Sequence, residues 1–229
     1  ISLIRRDMML SQLDGHASLE QDILPVMVRR GSVRAAEISG YFIDIGLPET
    51  LAPARSSLAE NLRKPAVFFD RDNTLVEDKG YTHRIEDLAW QPGAVEAIGA
   101  LNLAGYSVFV VTNQAGIARG LYSEKDMRAF HGAMQADLFV QGAHIDGFYH
   151  CPHHPDGAVD SLAIVCECRK PATGMLERAF AENLLDKSRS VMIGDTVGDV
   201  ACGEAFGIEA IRYQGGSILE LCKSAGVLA

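Results

Sequence analysis

Long apolar runs and basic charge are both scarce in this chain. No stretch of about eighteen or more apolar residues occurs, and the first residues lack the basic and then apolar layout of a secretory signal, so we expect a cytoplasmic protein without a membrane span. The chain has only 21 Lys and Arg residues against 30 Asp and Glu residues, which gives a net charge of −9 with histidine neutral. This balance argues against a general nucleic-acid or anionic-membrane binder, and an anionic substrate would need a locally basic pocket.

Cysteine is sparse and unevenly distributed. The chain has five cysteines, and Cys151, Cys166 and Cys168 crowd into 18 residues together with His153. An odd count beside histidine favours metal binding over disulfides. The Cys-x-His and Cys-x-Cys pairs supply four nitrogen and sulfur ligands, which predicts a closed, tetrahedral, structural zinc site. The alternative is a set of reduced thiols and surface histidines that bind no metal.

The length and composition fit one α/β domain with a small appendage, because 48% of the 229 residues are apolar. We predict an appended segment over residues 1–62 and the main domain over residues 63–229. From Ala66 onward, short apolar runs alternate with helical patterns, which is typical of a parallel sheet with helices on both faces. The predicted strands are Ala66–Asp70, Ser107–Thr112, Gly147–Cys151, Ser190–Gly194 and Glu209–Arg212.

Helix signals fall between these strands. Pro92 and Gly93 begin a helix that runs through Leu103, and Ser123 caps another that ends near Val140. The remaining predicted helices of the main domain are Thr173–Leu185, Val197–Phe206 and Ser217–Lys223.

Carboxylates follow two of the predicted strands. Asp70 and Asp72 end the first strand, and Gly194 and Asp195 end the fourth, with Asp199 four residues further on. The carboxyl ends of parallel strands form the ligand-binding edge of an open sheet, and paired carboxylates suit a hard divalent cation such as magnesium. The first pair alone could equally be a solvated Asp-rich turn. A second acidic strand end favours a metal-binding site.

Groups suited to phosphoryl oxygens lie between these acidic strand ends. Thr112 and Asn113 end the second strand, and Lys170 supplies a compact positive charge next to Arg169. Each residue has a structural alternative, since Thr112 could form a turn and Lys170 could lie on the surface. Their order along successive strand ends favours a phosphate-binding site.

Four short motifs in this order resemble the haloacid dehalogenase superfamily of aspartate-nucleophile phosphatases; they are residues 70–74 (DRDNT), 112–114 (TNQ), 169–171 (RKP) and 194–199 (GDTVGD). The resemblance implies a Rossmann-like sheet without a large cap domain. It implies that Asp70 is the nucleophile and Asp72 the general acid and base, with Thr112 and Lys170 on the phosphoryl oxygens. Asp70, Asp195 and the Asp72 backbone carbonyl would bind magnesium, supported by Asp199.

Residues 116–120 (GIARG) and the cysteine segment resemble the branch that contains heptose bisphosphate and histidinol-phosphate phosphatases. The resemblance implies a sugar bisphosphate substrate, most simply heptose 1,7-bisphosphate cleaved at C7, with histidinol phosphate as the alternative. Arg169 could contact the second anionic group of a bisphosphate, or it could be a surface charge. Asn73 replaces the glycine more common in this superfamily, and Asn tolerates such turn dihedrals, so activity should survive. A catalytically silent, zinc-stabilised scaffold is the alternative from another class.

Residues 18–55 resemble the end of a sugar-1-phosphate nucleotidyltransferase without its catalytic part. The predicted elements are a helix over Ser18–Met27, with Ser18 and Gln21 in a capping box, a strand over Gly40–Ile45 and a helix over Glu49–Leu62. A nucleotidyltransferase, fused or separate, is therefore an expected partner. Residues 79–83 (KGYTH) should form the flap after the first strand, or merely a loop.

Overall fold

The computed structural model describes residues 17–34, 43, 45–46 and 48–228. The chain divides into two compact units, residues 1–44 and residues 45–229. The helix predicted over Glu49–Leu62 is present as Pro48–Asn61 and belongs to the larger unit. The functional boundary after residue 62 stays a prediction, because compactness alone does not separate two activities.

The smaller unit contains a π-helical turn, Leu19–Ile23, followed by helix α1, Leu24–Arg29. Ser18 caps this turn as expected, with its side chain accepting a hydrogen bond from the Gln21 amide at 3.2 Å. The reciprocal bond comes from Asp22, which accepts from the Ser18 amide at 2.7 Å, and not from the Gln21 side chain. The strand predicted over residues 40–45 falls largely outside the described residues.

The larger unit is built on one parallel sheet of five strands in the order β3-β2-β1-β4-β5. All five predicted strands are present, with ends that shift by one residue at most. Their bounds are β1 Ala66–Phe69, β2 Ser107–Asn113, β3 Gly147–Cys151, β4 Val191–Gly194 and β5 Glu209–Arg212. The central strand β1 pairs with β2 and β4, so residues that follow it lie in the middle of the sheet edge.

Helices connect successive strands, as the alternating pattern predicts. After α2, Pro48–Asn61, they are α3 Ala94–Leu103, α4 Ala115–Ala118, α5 Glu124–Val140, α6 Gly174–Glu182, α7 Val197–Phe206 and α8 Ile218–Ser224. Ser123 caps α5 and Ser217 caps α8 through side-chain oxygens. The sequence analysis missed the short helix α4, and the helix predicted to reach Leu185 ends at Glu182.

Two apolar layers cover the sheet. Phe69 and Val110 face the layer formed by α3, α5 and α8, whereas Phe68 and Val111 face the layer formed by α6 and α7. Neighbouring strand residues alternate between the layers because successive side chains of a strand point to opposite faces. Both faces are therefore buried, which explains why β1, β2 and β4 are almost continuously apolar.

The connections after β1 and β3 stay small. The first contains a single 3-10 turn, Ile85–Asp87, and the second is the loop that carries the clustered cysteines. Within the part of the chain that the structure describes, neither connection folds into a separate cap domain. A search of the described helices finds none with the length and hydropathy needed to cross a membrane.

Asn73 gives a stability test of the turn after β1. Its φ of 57° lies in the left-handed region, and its side chain accepts a hydrogen bond from the Asp78 amide at 3.2 Å. Because a β-branched residue is strained in this region, we expect Asn73→Val to lower the free energy of unfolding by about 1–2 kcal/mol. Asn73→Gly should cost less than Asn73→Val in urea denaturation; equal losses would contradict the assigned conformation.

Candidate active site

A cavity of about 420 Å³ opens at the carboxyl ends of the central strands. Its lining includes Asp70, Asp72, Asn113, Arg169, Lys170, Asp195 and Asp199, seven of the eight residues predicted at this edge of the sheet. The eighth, Thr112, is wholly buried next to it. The strand ends therefore converge as the parallel topology requires.

The Lys170 ammonium lies at the centre of this cavity. Its Nζ is 2.6 Å from Asp70 Oδ1 and 2.6 Å from Asp199 Oδ1, and it also donates to the Val111 carbonyl at 2.6 Å. The side chains of Lys170, Asp70 and Asp199 are 2%, 10% and 3% exposed. These values identify a buried ion-paired cluster, in which each charge depends on the others.

Burial dominates the ionisation of this cluster. It raises the pKa of Asp70 to about 7, assisted by Asp199 and Asp72 and opposed by Lys170. Burial opposes the charge on Lys170, but Asp70 and Asp199 outweigh it and raise the pKa of Lys170. The pKa of Asp195 is also raised, by burial and then by Asp199. The positive charge of Lys170 therefore favours the ionised forms of Asp70 and Asp195 against the effect of burial.

Asp70, Asp195 and Asp199 each bring a carboxylate oxygen within 4.8 Å of the others, as a metal site requires. Asp195 accepts a weak hydrogen bond from Thr74 Oγ1 at 3.4 Å. Asp199 also caps α7, where its Oδ2 accepts from the Thr196 amide and hydroxyl. A Cβ on Gly194 would lie 2.4 Å from the Asp199 side chain, so this strand end requires glycine.

Asp72 has different partners from Asp70. Its Oδ1 accepts from Arg71 Nε at 2.9 Å and Arg71 Nη2 at 2.7 Å, and its Oδ2 accepts from Gln114 Nε2 at 2.8 Å. Arg71 is wholly buried. This role of Arg71 is not evident from the sequence, because an arginine between two aspartates is typical of a solvated turn.

Gln114 extends this network to Thr112, which is a predicted phosphate contact, and to Tyr122. Its Nε2 also donates to Thr112 Oγ1 at 2.8 Å, and its Oε1 accepts from Tyr122 Oη at 2.5 Å. Thr112 Oγ1 acts here as an acceptor, which leaves its own hydrogen available. The Asn113 amide instead brackets the Lys170 backbone, accepting from its N–H at 3.0 Å and donating to its C=O at 3.1 Å.

Residues 79–83 form a flap at the rim of the cavity. Gly80 and Tyr81 line the cavity, and the Thr82 carbonyl accepts from Arg71 Nη2 at 2.7 Å. Asp78 Oδ1 fixes the turn by accepting from the Thr82 amide and hydroxyl. The His83 ring stacks on Tyr122 with centroids 4.4 Å apart. Through Thr82, the flap is therefore connected to Arg71, which binds Asp72.

The predicted Cys/His ligands also come together. Sulfur–sulfur distances are 3.5 Å for Cys151–Cys166 and 3.4 Å for Cys166–Cys168, and His153 Nδ1 lies 3.3 Å from Cys168 Sγ and 3.7 Å from Cys151 Sγ. Donor atoms around a tetrahedral zinc are roughly 3.5–3.8 Å apart. Arg169 joins this loop to the cavity, because its Nη1 donates to the His153 carbonyl at 3.3 Å.

Comparison with known sequences gives a consistent set of relatives. A HAD-hydrolase-like family model matches residues 167–220. The D-glycero-beta-D-manno-heptose-1,7-bisphosphate 7-phosphatase of Rhodopseudomonas palustris is 44% identical over 156 residues, which are 68% of this chain and 87% of the relative. The Escherichia coli K12 enzyme of the same name is 39% identical over 144 residues, covering 63% of this chain and 75% of the relative.

Comparison with solved structures gives the same picture. A HAD-like phosphatase from Mesorhizobium loti superposes with a TM-score of 0.61 at 36% identity, covering 64% of this chain and 70% of that one. The D,D-heptose 1,7-bisphosphate phosphatase of B. bronchiseptica, solved with magnesium and phosphate, gives a TM-score of 0.59 at 28% identity and covers 72% and 88%.

Lys170→Met tests the ion-paired cluster. Without added magnesium, the raised pKa of Asp70 means that the folded protein binds a proton more readily than the unfolded chain, so stability falls as pH rises from 3.8 to about 7. Removing the ammonium should deepen this fall, with a loss of about 3–5 kcal/mol at pH 8 and a smaller one at pH 5. Urea denaturation measures both.

The exposed Lys125→Met is the matched control and should change stability by less than about 0.5 kcal/mol. Equal losses for Lys170→Met at pH 5 and pH 8 would contradict the electrostatic account.

Proposed function

This chain belongs to the haloacid dehalogenase-like phosphatases, and we propose that it is a magnesium-dependent phosphomonoesterase that removes the C7 phosphate of heptose 1,7-bisphosphate. One observation carries the proposal. Asp70 is held at 2.6 Å by the Lys170 ammonium at the end of the central strand, inside the cavity that Asp72 also lines. A carboxylate nucleophile, a cation and a second carboxylate are the groups that phosphoryl transfer requires.

In the first step, a carboxylate oxygen of Asp70 attacks phosphorus and the bond between phosphorus and the sugar oxygen breaks. Asp72 donates a proton to the departing alcohol. Lys170 and the free hydroxyl hydrogen of Thr112 hold the phosphoryl oxygens. Asn113 supports the backbone of Lys170, because the oxygen and the nitrogen of the Asn113 side chain both form hydrogen bonds to it.

In the second step, water attacks the aspartyl-phosphate and the bond between Asp70 and phosphorus breaks. Asp72, now unprotonated, accepts the proton of that water. The two aspartates can divide this work because their surroundings differ: Asp70 faces Lys170, whereas Asp72 is held by Arg71 and Gln114.

The charge of the cavity supports a magnesium site. Among the described lining residues, five aspartates face the cations Arg169 and Lys170. An anionic ester would be repelled without further positive charge, and the all-oxygen donor set suits magnesium. Asp70, Asp195 and the Asp72 carbonyl would hold it, while Asp199 is engaged by Lys170 and Thr196. When bound, magnesium neutralises phosphoryl oxygens.

We also propose that Cys151, His153, Cys166 and Cys168 bind a structural zinc ion. Their donor spacing of 3.3–3.7 Å supports this assignment, and the four protein ligands leave no open position for substrate. The zinc would fix the loop that presents Arg169 to the cavity.

Arg169 favours a bisphosphate over histidinol phosphate. Arg169 lines the cavity next to Lys170 and supplies a second positive charge that can bind a second phosphate. An amine substrate would instead need a carboxylate, not a guanidinium, at the position of Arg169. The named relatives act on heptose bisphosphate, which agrees with this choice.

The remaining expectations stay predictions. A nucleotidyltransferase partner for residues 18–55 and a cytoplasmic location rest on the sequence alone. The catalytically silent scaffold is disfavoured, because Asp70, Asp72 and Lys170, the groups that the proposed reaction needs, line one cavity.

Phosphate release with magnesium, measured on heptose 1,7-bisphosphate, histidinol phosphate and other sugar phosphates, tests the proposed function. We expect a clear preference for the heptose bisphosphate, and no turnover by Asp70→Asn because an amide is no nucleophile here. Arg169→Met should raise KM for the bisphosphate by about 10-fold or more and leave monophosphates nearly unchanged. Equal activity on all esters would contradict the proposed substrate, and turnover by Asp70→Asn would contradict the proposed mechanism.

Metal analysis of the purified protein tests the zinc assignment. About one zinc per chain is expected, and Cys166→Ser should lose it and lower the melting temperature. Cys222→Ala is the control, because Cys222 is buried in the core away from the cluster and its loss should leave the zinc content intact. Zinc retained by Cys166→Ser would contradict the ligand set.

A further inference from the structure

We propose that Oδ2 of Asp72 is the atom that exchanges the proton with substrate and water, and that Arg71 is a positioning residue that imposes this by occupying Oδ1. The assignment rests on the proposed function and divides the roles of the two oxygens of one carboxylate.

The hydrogen bonds of Asp72 distinguish its two oxygens. Oδ1 accepts two N–H groups of Arg71, at 2.9 Å and 2.7 Å. A carboxylate oxygen has two in-plane lone pairs, so Oδ1 is saturated. Oδ2 accepts only the Gln114 amide at 2.8 Å and keeps one lone pair. The Asp72 side chain is 23% exposed and lines the cavity, so this lone pair is accessible to substrate.

Arg71 is held firmly enough to impose this orientation. Nη2 also donates to the Thr82 carbonyl at 2.7 Å, and the guanidinium lies 5.0 Å from the Phe130 ring centre. Nη1 approaches His131 Nε2 at 3.4 Å. Burial and then Arg71 lower the pKa of His131 to about 3, so His131 is neutral and accepts this bond. An arginine has only donors, so Oδ1 always faces N–H groups.

The proton balance follows from this arrangement. As the ester bond breaks, the sugar oxygen takes the proton from Asp72 Oδ2, and Oδ1 stays bound to Arg71. When water attacks phosphorus, its proton returns to the same Oδ2. Oδ2 of Asp72 therefore serves first as acid and then as base. Gln114 keeps the free lone pair of Oδ2 in place, because hydrogen bonds to Tyr122 and Thr112 orient the Gln114 side chain.

Leaving-group dependence tests the assignment. A sugar alkoxide needs the acid's proton, whereas p-nitrophenolate departs without one, and kcat/KM covers only the steps up to departure. For Arg71→Met, we expect kcat/KM to fall about 100-fold for heptose 1,7-bisphosphate and less than about fivefold for p-nitrophenyl phosphate. The ratio of the two values does not depend on the fraction of folded enzyme.

Arg71→Lys, which restores one donor, should recover part of the loss on the sugar ester alone. Gln114→Met removes the hydrogen bond to Oδ2 and should also lower kcat/KM more for the sugar ester than for p-nitrophenyl phosphate, to a smaller degree. If Arg71→Met does not fold, this variant tests the assignment of Oδ2. Arg128→Met, on the exposed face of α5, is the control and should leave the ratio unchanged. Equal losses on both esters would overturn the positioning role. Wild-type protein inactive on both would overturn the proposed function as well.

Discussion

The ion pairs of Lys170 hold the site together. Asp70 follows strand β1, Asp199 lies in the first turn of helix α7, and a single buried ammonium lies 2.6 Å from each. Without that charge, the parallel sheet would bring carboxylates together in a poorly solvated cavity, where they repel one another. One cation therefore balances two buried carboxylates at this edge of the sheet.

The same sheet edge places two aspartates with different tasks only two residues apart. Asp70 continues the central strand and faces Lys170, whereas Asp72 lies in the following turn and is bound by Arg71 and Gln114. Identical side chains therefore have different ion-pair and hydrogen-bond partners, as the two proposed roles require. The flap contributes through the Thr82 carbonyl, which helps to hold Arg71.

The sequence predicted the strands and the meeting of the candidate site residues at one edge of the sheet, for a physical reason. Strands buried on both faces are almost continuously apolar, and Asp70 and Asp195 interrupt that pattern at the strand ends. The clustering of the four Cys and His side chains was also predictable, because local Cys-x-His and Cys-x-Cys spacing already determines much of their geometry.

Contacts between distant segments were not predictable in the same way. The sequence around Arg71 suggests a surface turn, yet Arg71 donates to the Thr82 carbonyl. The sequence around Asn113 suggests a phosphate ligand, yet the Asn113 side chain binds the Lys170 backbone. The cap of Ser18 shows the same limit at short range, because a π-helical turn brings Asp22 rather than Gln21 to its amide. These partners depend on backbone geometry that composition and spacing do not specify.

The central claim is that Asp70 carries the phosphoryl group during turnover. Acid quenching during steady-state hydrolysis, followed by borohydride reduction, converts an aspartyl-phosphate to homoserine, which peptide mass spectrometry locates. The account predicts homoserine at position 70 in the wild-type protein and none in Asp70→Asn. Full-rate phosphate release with an unmodified Asp70 at every quench time would contradict it.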